Sequence, residues 1–226
     1  VSNSGVNVVL TVAFCTYNRA ERLPALVRAL REQKSGYPFE LLAVNNNSTD
    51  NTEEVLKKLS DQNGASLRVV NESEQGIVPA RNRAIDESRD NDFLIFLDDD
   101  ELPDNDFIDA AVRAMAQDGA ECVGGRIRVH FKPGQKPKWL EDDVLGFLGE
   151  LDYGDDPFWI KDASTPVWSG NIGYQTQLFK DGLRFDKRYN REGKKVGGGS
   201  DAIMFQVLME QGARIRYEPK MQILHL

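Results

Sequence analysis

The sequence predicts an α/β fold in which a mostly parallel central sheet carries helices on both faces. Short apolar runs rich in β-branched residues alternate four times with stretches of helical period, which is the pattern of a parallel sheet covered on both sides. The chain has 226 residues, enough for one substantial core, and 40% of them are hydrophobic. We therefore expect one domain over residues 1–226.

The first strand and helix are predicted most clearly. Val8–Thr16 is a short apolar run, and the polar residues that follow end it. The next apolar residues recur at positions i, i+3, i+4 and i+7 and define one helical stripe: Leu23, Leu26, Val27 and Leu30. Pro24 lies in the first turn of that helix, where a missing N–H costs nothing.

The same alternation continues to about residue 130. Further strands are predicted at Phe39–Val44, Leu67–Val70, Phe93–Leu97 and Glu121–His130, and helices at Thr52–Leu59, Val78–Ser88 and Phe107–Met115. From Phe131 to Val167, prolines and aromatic residues replace the pattern, which indicates a binding excursion, a lid or a packed-down loop. A helix over Asp201–Gln211, a strand near Ile215–Tyr217 and an apolar segment Met221–Leu224 are expected after it.

Composition excludes several classes of protein. A net charge of -8 disfavours a nucleic-acid partner, because such binding needs dense Lys and Arg. Two cysteines provide no disulfide framework, which favours a reducing, cytoplasmic location. Residues 1–5 lack a secretory signal pattern, and no apolar run reaches the roughly 18 residues of a membrane span. If the protein contacts a membrane, we expect peripheral contact at the inner face.

Polar residues follow the predicted strands at the points where the strands end. These segments cover residues 16–19, 45–50, 71–77 and 98–101, and all are rich in polar side chains, mostly Asn and Asp. In open α/β sheets, the ligand crevice forms beyond the carboxyl ends of the strands. We therefore expect the four segments to converge on one binding site.

The acidic run Asp98-Asp99-Asp100-Glu101 is the sharpest feature of that rim. Carboxylates so close together repel one another unless a cation neutralises them, and carboxylate oxygens suit Mg²⁺ or Mn²⁺. Alternate residues of an extended segment face the same side, so Asp98 and Asp100 are the expected ligand pair. The alternative is a solvated acidic turn that caps the helix starting near Asp104.

Four motifs in order resemble those of family-2 glycosyltransferases with the GT-A fold: VAFCTYNR, AVNNNSTDNT, GIVPARNRAI and FLDDDE. The later segments SGNIGY, LRFDKRYN and GGGSDAIMFQVLMEQG resemble the acceptor side and catalytic-base region of the same family. The resemblance implies a donor-binding half over residues 1–130 and an acceptor and base half over residues 131–226. It also implies an inverting enzyme that moves one sugar from a nucleoside-diphosphate sugar to a hydroxyl of a saccharide or lipid-linked acceptor, in polysaccharide biosynthesis.

For the donor, the resemblance implies the following residues. Thr16, Tyr17, Arg19 and Asn46 would contact the nucleoside, and Arg81 would approach the diphosphate. Asp98 and Asp99 would complete the donor site.

For the metal and the chemistry, the resemblance implies that Asp98 and Asp100 hold a divalent ion, Mn²⁺ or Mg²⁺. His225 is either a third ligand or a histidine satisfied in the core. Asp201 would take the acceptor proton, although it could also be the N-cap of its helix.

Departures from the family pattern leave details open. Asn45-Asn46 stands where similar enzymes carry an Asp, so a uridine donor is expected but not fixed. Ser200 precedes Asp201 in place of an acidic residue, which keeps open a catalytically silent module that binds sugar nucleotides or carbohydrates. The absence of a Gln-x-x-Arg-Trp motif favours single-sugar addition over processive synthesis.

Overall fold

A computed structural model of the chain describes residues 9–131, 134, 136–191 and 198–226, except the side chains of residues 142 and 143. Residues 1–5, Val8 of the first predicted strand, and the glycine at the front of the motif GGGSDAIMFQVLMEQG lie outside that description. The strands are β1 Leu10–Thr16, β2 Phe39–Asn45, β3 Leu67–Asn71, β4 Phe93–Leu97, β5 Glu101–Pro103, β6 Cys122–Val129, β7 Phe158–Trp159, β8 Asn171–Gln175 and β9 Ile215–His225. The helices are α1 Leu23–Arg31, α2 Thr52–Ser60, α3 Ile77–Glu87, α4 Phe107–Ala116 and α5 Ser200–Glu210.

The strands of the described residues form one mixed sheet in the order β3-β2-β1-β4-β8-β6-β9-β5, with β7 paired to β9. Strands β3, β2, β1 and β4 are mutually parallel, as are β6 and β9. β8 runs antiparallel to both β4 and β6 and joins the two parallel sets. The predicted α/β class with a mostly parallel sheet is confirmed.

Helices cover both faces of the sheet, and each face has its own apolar core. Helices α1, α2 and α4 pack on one face, and the predicted α1 stripe is completely buried there. Helices α3 and α5 belong to the core on the other face, where α3 packs on β1 and β2. Because α3 and α5 share a face, the side chains at the starts of these two helices meet near the ends of β1 and β4.

The second half of the chain differs from the sequence-based prediction in two ways. Asn171–Gln175 is a central strand that the pattern does not indicate, because its apolar residues are interrupted by Gly and amides. The predicted strand at Ile215 and the apolar segment at Met221 are one continuous strand, β9. A register shift between Gly125 and Ile127 accommodates Pro219 inside β9, at the kind of irregularity where proline is tolerated.

The excursion after β6 is partly tied to the sheet. Arg126 pairs with Asp152 and Asp155, at 3.0 and 2.7 Å, and β7 adds to the edge of β9. Among the described aromatic side chains of this excursion, Trp139 and Phe147 are the most exposed, at 77% and 93%. No helix in the described part of the chain combines the length and the apolar character needed to cross a membrane.

Candidate active site

The loops after β1 and β2 are fastened to each other by Asn18. Its Oδ1 accepts a hydrogen bond from the backbone N–H of Thr49 at 2.7 Å, and its own N–H donates to Ser48 Oγ at 3.0 Å. Asn18 has φ 53°, a left-handed conformation that Asn tolerates better than most residues. Asn18 was not predicted as a site residue, yet it fixes the predicted nucleoside loop beside Tyr17 and Arg19.

The side chain of Asn46 holds the loop between β3 and α3 in place through hydrogen bonds. Its Nδ2 donates to the carbonyl oxygens of Glu72 and Glu74, at 3.2 and 2.7 Å. Its Oδ1 accepts from Gly76 N at 2.7 Å and from Gln75 Nε2 at 3.1 Å. The side chain is 4% exposed and its hydrogen-bonding groups are used within the protein. This geometry does not favour the predicted nucleoside contact, which would require Asn46 to release the loop.

Each carboxylate of the acidic run has its own partner within the chain. Asp98 Oδ1 lies 3.2 Å from Arg81 Nη2, and Asp100 Oδ2 lies 3.0 Å from Arg22 Nη1. Asp99 accepts a hydrogen bond from Thr16 Oγ1 at 2.7 Å. The carboxylate of the fourth residue, Glu101, is buried and accepts from the backbone N–H of Asp98 at 2.7 Å.

These contacts correct the premise that the run requires a bound cation. Two arginines from outside the run, one before α1 and one on α3, supply positive charge to it. The remaining charge is reduced by burial, which is the main reason that the pKa of Asp99 rises to about 6 and that the pKa of Glu101 lies well above its usual range. The acidic run therefore has partners within the chain for each of its carboxylates.

Arg81 joins the two halves of the site. Its Nη1 lies 2.5 Å from Asp201 Oδ1, its Nη2 contacts Asp98, and its guanidinium lies 5.6 Å from the centre of the Phe185 ring. Burial by itself would lower the pKa of Arg81, but the carboxylates of Asp201 and Asp98 raise it above its ordinary value. Because this side chain is only 6% exposed and already bonds two carboxylates, its access to a diphosphate is restricted.

Asp201 lies in the first turn of α5 and is not the residue that caps it. Gly199, with φ 88°, occupies the N-cap position, and no side chain caps the helix. The carboxylate of Asp201 instead bonds Arg81, and Ser200 Oγ lies 3.4 Å from the same oxygen, Oδ1. The N-cap interpretation of Asp201 is therefore wrong, and the side chain faces the cleft shared with Asp98.

His225 meets the acidic run through the pairing of β5 with β9. Its Nε2 lies 3.8 Å from Asp100 Oδ1, and its Nδ1 lies 3.1 Å from the carbonyl oxygen of Leu148. Within the described residues, however, no group of three or more His, Cys, Asp or Glu side chains is arranged to hold a metal ion. The predicted ligands Asp98, Asp100 and His225 thus do not form such a group here, and Asp98 contacts Arg81 instead.

The remaining predicted donor residues form the rim of the cleft. Tyr17 is 41% exposed, whereas Arg19 is half-buried and close enough to Asp99 to oppose the rise of its pKa. Arg22 was not identified from the sequence, because an arginine just before a helix carries no signal that it reaches an acidic run far along the chain. Only the fold brings it there.

Comparison with relatives of known sequence shows the family of this chain. The profile of Glycosyl transferase family 2 matches residues 11–183. Glycosyltransferase AglE of Haloferax volcanii is 30% identical over 132 residues, which cover 57% of this chain and 41% of AglE. Succinoglycan biosynthesis protein ExoM of Rhizobium meliloti is 25% identical over 218 residues, which cover 93% of this chain and 64% of ExoM. The matches thus take in about two fifths and two thirds of the lengths of these relatives.

Solved structures share the fold. Mannosyltransferase PcManGT from Pyrobaculum calidifontis, in complex with GDP-Man and Mn²⁺, has a TM-score of 0.68 at 20% identity and covers 95% of this chain and 56% of its own. TarS 1–349 of S. aureus, in complex with UDP-GlcNAc, has a TM-score of 0.67 at 18% identity and covers 93% and 56%. The predicted GT-A fold is confirmed by this likeness.

The profile match includes the β1 loop, Asn46, Arg81 and the acidic run, and the ExoM match extends over nearly the whole chain. The chain belongs to glycosyl transferase family 2.

Proposed function

We propose that this chain transfers a single sugar, with inversion, from a nucleoside-diphosphate sugar to a hydroxyl group of a saccharide or lipid-linked acceptor. The observation that carries the proposal is the contact of one buried guanidinium with two carboxylates from different halves of the chain, Arg81 with Asp98 and Asp201. It places an acid from the predicted donor site and a candidate base in one cleft. Family membership supports the sugar-transfer chemistry.

In the proposed reaction, the acceptor oxygen forms a bond to the anomeric carbon as the bond from that carbon to the diphosphate oxygen breaks. The hydroxyl proton passes to Asp201. Arg81 and Ser200 both contact Oδ1 of Asp201, so Oδ2 is the oxygen that would take the proton. Arg81 fixes the direction of this carboxylate and places positive charge near the departing diphosphate.

The predicted metal ligands fit a divalent ion that the substrate also helps to hold. Asp100 Oδ1 and His225 Nε2 lie 3.8 Å apart, and a carboxylate and an imidazole are side chains that bind divalent ions. These two residues would hold the ion together with the diphosphate of the donor, and Asp100 could keep its contact with Arg22, which is made through the other oxygen, Oδ2. When bound, the ion would neutralise charge on the leaving diphosphate.

A uridine nucleotide and a saccharide acceptor are the finer parts of the proposal. Structures with this fold are known with UDP-GlcNAc and with GDP-Man, so the nucleoside stays open to test. Tyr17 is exposed at the rim and is the better candidate for nucleoside contact than Asn46, which is occupied by the β3–α3 loop. The name of ExoM places that relative in succinoglycan biosynthesis, which supports a saccharide acceptor. Contact with a membrane stays a prediction.

The test is nucleotide release from UDP-sugars and GDP-Man in Mn²⁺, with a panel of saccharide acceptors and with EDTA in parallel. We expect acceptor-dependent release that EDTA abolishes. Binding without turnover for any donor would favour the silent binding module instead. Turnover that resists EDTA would contradict the metal requirement.

A second test separates the base from the helix that carries it. Asp201→Asn keeps the shape of the side chain but removes the proton acceptor, and we expect it to lower kcat by at least about 100-fold. Glu210→Gln, at the exposed far end of α5, is the matched control and should leave kcat unchanged. Undiminished transfer by the Asp201 variant would remove this residue from the base role.

A further inference from the structure

The helix that carries Arg81 has no capping side chain of its own. α3 begins after Gly76, and no side chain of its N-cap residue accepts a hydrogen bond from the first turn. The first N–H groups of a helix lack partners within the helix, so they are satisfied from outside. In α3 this partner comes from the second half of the chain.

Asn190 supplies the missing cap. Its Oδ1 accepts from Val78 N at 3.2 Å, and its Nδ2 donates to the carbonyl oxygen of Gln75 at 3.0 Å. The amide sits against the backbone of Gly76, where a Cβ atom would lie 2.2 Å from Asn190 Oδ1, and Gly76 has φ 128°. A residue with a side chain would therefore both strain this turn and displace Asn190.

The same segment contacts α3 one turn further on. Asn82 exchanges two hydrogen bonds with the backbone of Phe185, at 2.8 and 2.9 Å, and the ring of Phe185 faces the Arg81 guanidinium. The chain from Phe185 to Asn190 thus runs beside the start of α3, and α5, which carries Asp201, is the next helix in sequence. Arg81 lies one turn into α3, between these two points of attachment.

We propose that Asn190 is a positioning residue that sets Arg81 at the correct distance from Asp98 and Asp201. The inference rests on the proposed function. Asn46 holds the other side of the same loop through Gly76 N, so two asparagines from the two halves fix the turn that begins α3. Without Asn190, the start of the helix can shift relative to α5, and the three-way contact of Arg81 with the two carboxylates loses its geometry.

The test is a double-mutant cycle on nucleotide affinity, measured by calorimetry with UDP, and with GDP if UDP does not bind, in Mn²⁺. We expect Asn190→Ala to weaken binding about tenfold, since small displacements at a charged site have effects of this order or larger. In an Arg81→Met background, the same change should have no further effect, because Asn190 acts through Arg81. Asn91→Ala, which loses side-chain hydrogen bonds to Thr11 and Glu40 at the opposite end of the strands, is the control and should bind like wild type.

A residue that only stabilises the fold would weaken binding equally in both backgrounds, and this result would overturn the inference. Two other results would also overturn the inference. In the first, Arg81→Met weakens nucleotide binding but Asn190→Ala does not, which would leave the proposed function standing. In the second, Arg81→Met binds the nucleotide as tightly as wild type. If wild type binds neither nucleotide, the proposed function fails and the inference falls with it. Asn190→Ser, whose side chain is too short to join both backbone groups, replaces the alanine variant if that variant does not fold.

Discussion

Replacing Arg81 by Met should destabilise the protein, because it removes a guanidinium that two carboxylates share while it keeps most of the apolar stem. The bond to Asp201, whose side chain is 28% exposed, is a charged hydrogen bond worth about 1.5–2 kcal/mol. The bond to Asp98 counts for less, about 0–1 kcal/mol, since that carboxylate is 42% exposed and solvent screens it. Loss of the contact with the Phe185 ring adds roughly 0.5–1 kcal/mol.

Together these contributions predict a loss of about 3 kcal/mol, which for a chain of this size lowers Tm by roughly 6–12 °C. Thermal unfolding followed by circular dichroism measures it. In an Asp201→Asn background the loss should be smaller, because the stronger bond is already weakened. Arg188→Met, an arginine that is 82% exposed and paired with Asp186, should leave the unfolding curve unchanged. A Tm within a degree of wild type for Arg81→Met, or an undiminished loss in the Asp201→Asn background, would refute the assignment of Arg81 as the link between the two halves.

Three further predictions test the structure around the site. Asn46→Asp loses both amide donors and turns a carboxylate toward two carbonyl oxygens. Urea denaturation should therefore show that the free energy of unfolding falls by about 2–4 kcal/mol. Unchanged stability with tighter UDP binding would instead favour direct contact of residue 46 with the nucleoside. Gly125→Ala would place a Cβ atom 1.8 Å from a backbone oxygen of β9 and should abolish soluble expression. Gly146→Ala is the control and should express normally, because a Cβ atom there would have no atom within 4 Å. Equal yields of the two variants would contradict the close approach of β6 and β9. Burial raises the pKa of the Cys15 thiol to about 12 and that of Cys122 above its usual range. Cys122 is fully buried whereas Cys15 is only half-buried, so thiol reagents at pH 8 should leave Cys122 unlabelled until the protein is denatured and should label Cys15 slowly; rapid labelling of Cys122 in the native protein would show that its thiol is accessible.

The local sequence pattern predicted those strands and helices in which the buried residues follow a regular pattern along the chain. Phe93–Leu97 is an uninterrupted apolar run and is a strand with the predicted bounds, and the α1 stripe is buried in full. Strand β8 escaped prediction because a central strand with Gly and amides has no such run, and its place between β4 and β6 depends on pairing with distant residues. The join of Ile215 to Met221 in one strand likewise depends on the irregular pairing with β6 around Gly125.

The candidate site shows the same division. Motif order along the chain indicated that the segments after β1, β2 and β4 share a cleft, because parallel neighbours end at one edge of a sheet. It did not indicate which side chains are free to bind a ligand. Asn46 is consumed by backbone groups of the β3–α3 loop, and Asp98 is turned toward Arg81, because those partners come within reach only after folding.

Local periodicity and chain direction were sufficient to predict the α/β class, the positions of the helices and parallel strands, and the gathering of Asn and Asp at one edge of the sheet. How the acidic run is neutralised and which residues connect the two halves depend on tertiary packing. Arg22 and Asp100 are 78 residues apart in sequence, and Arg81 and Asp201 are 120 apart, yet both pairs are in contact. Coulomb attraction acts only over a few ångströms in a hydrated protein, so such pairs depend on the packing of α1, α3 and α5 on the sheet and leave no mark on the local sequence.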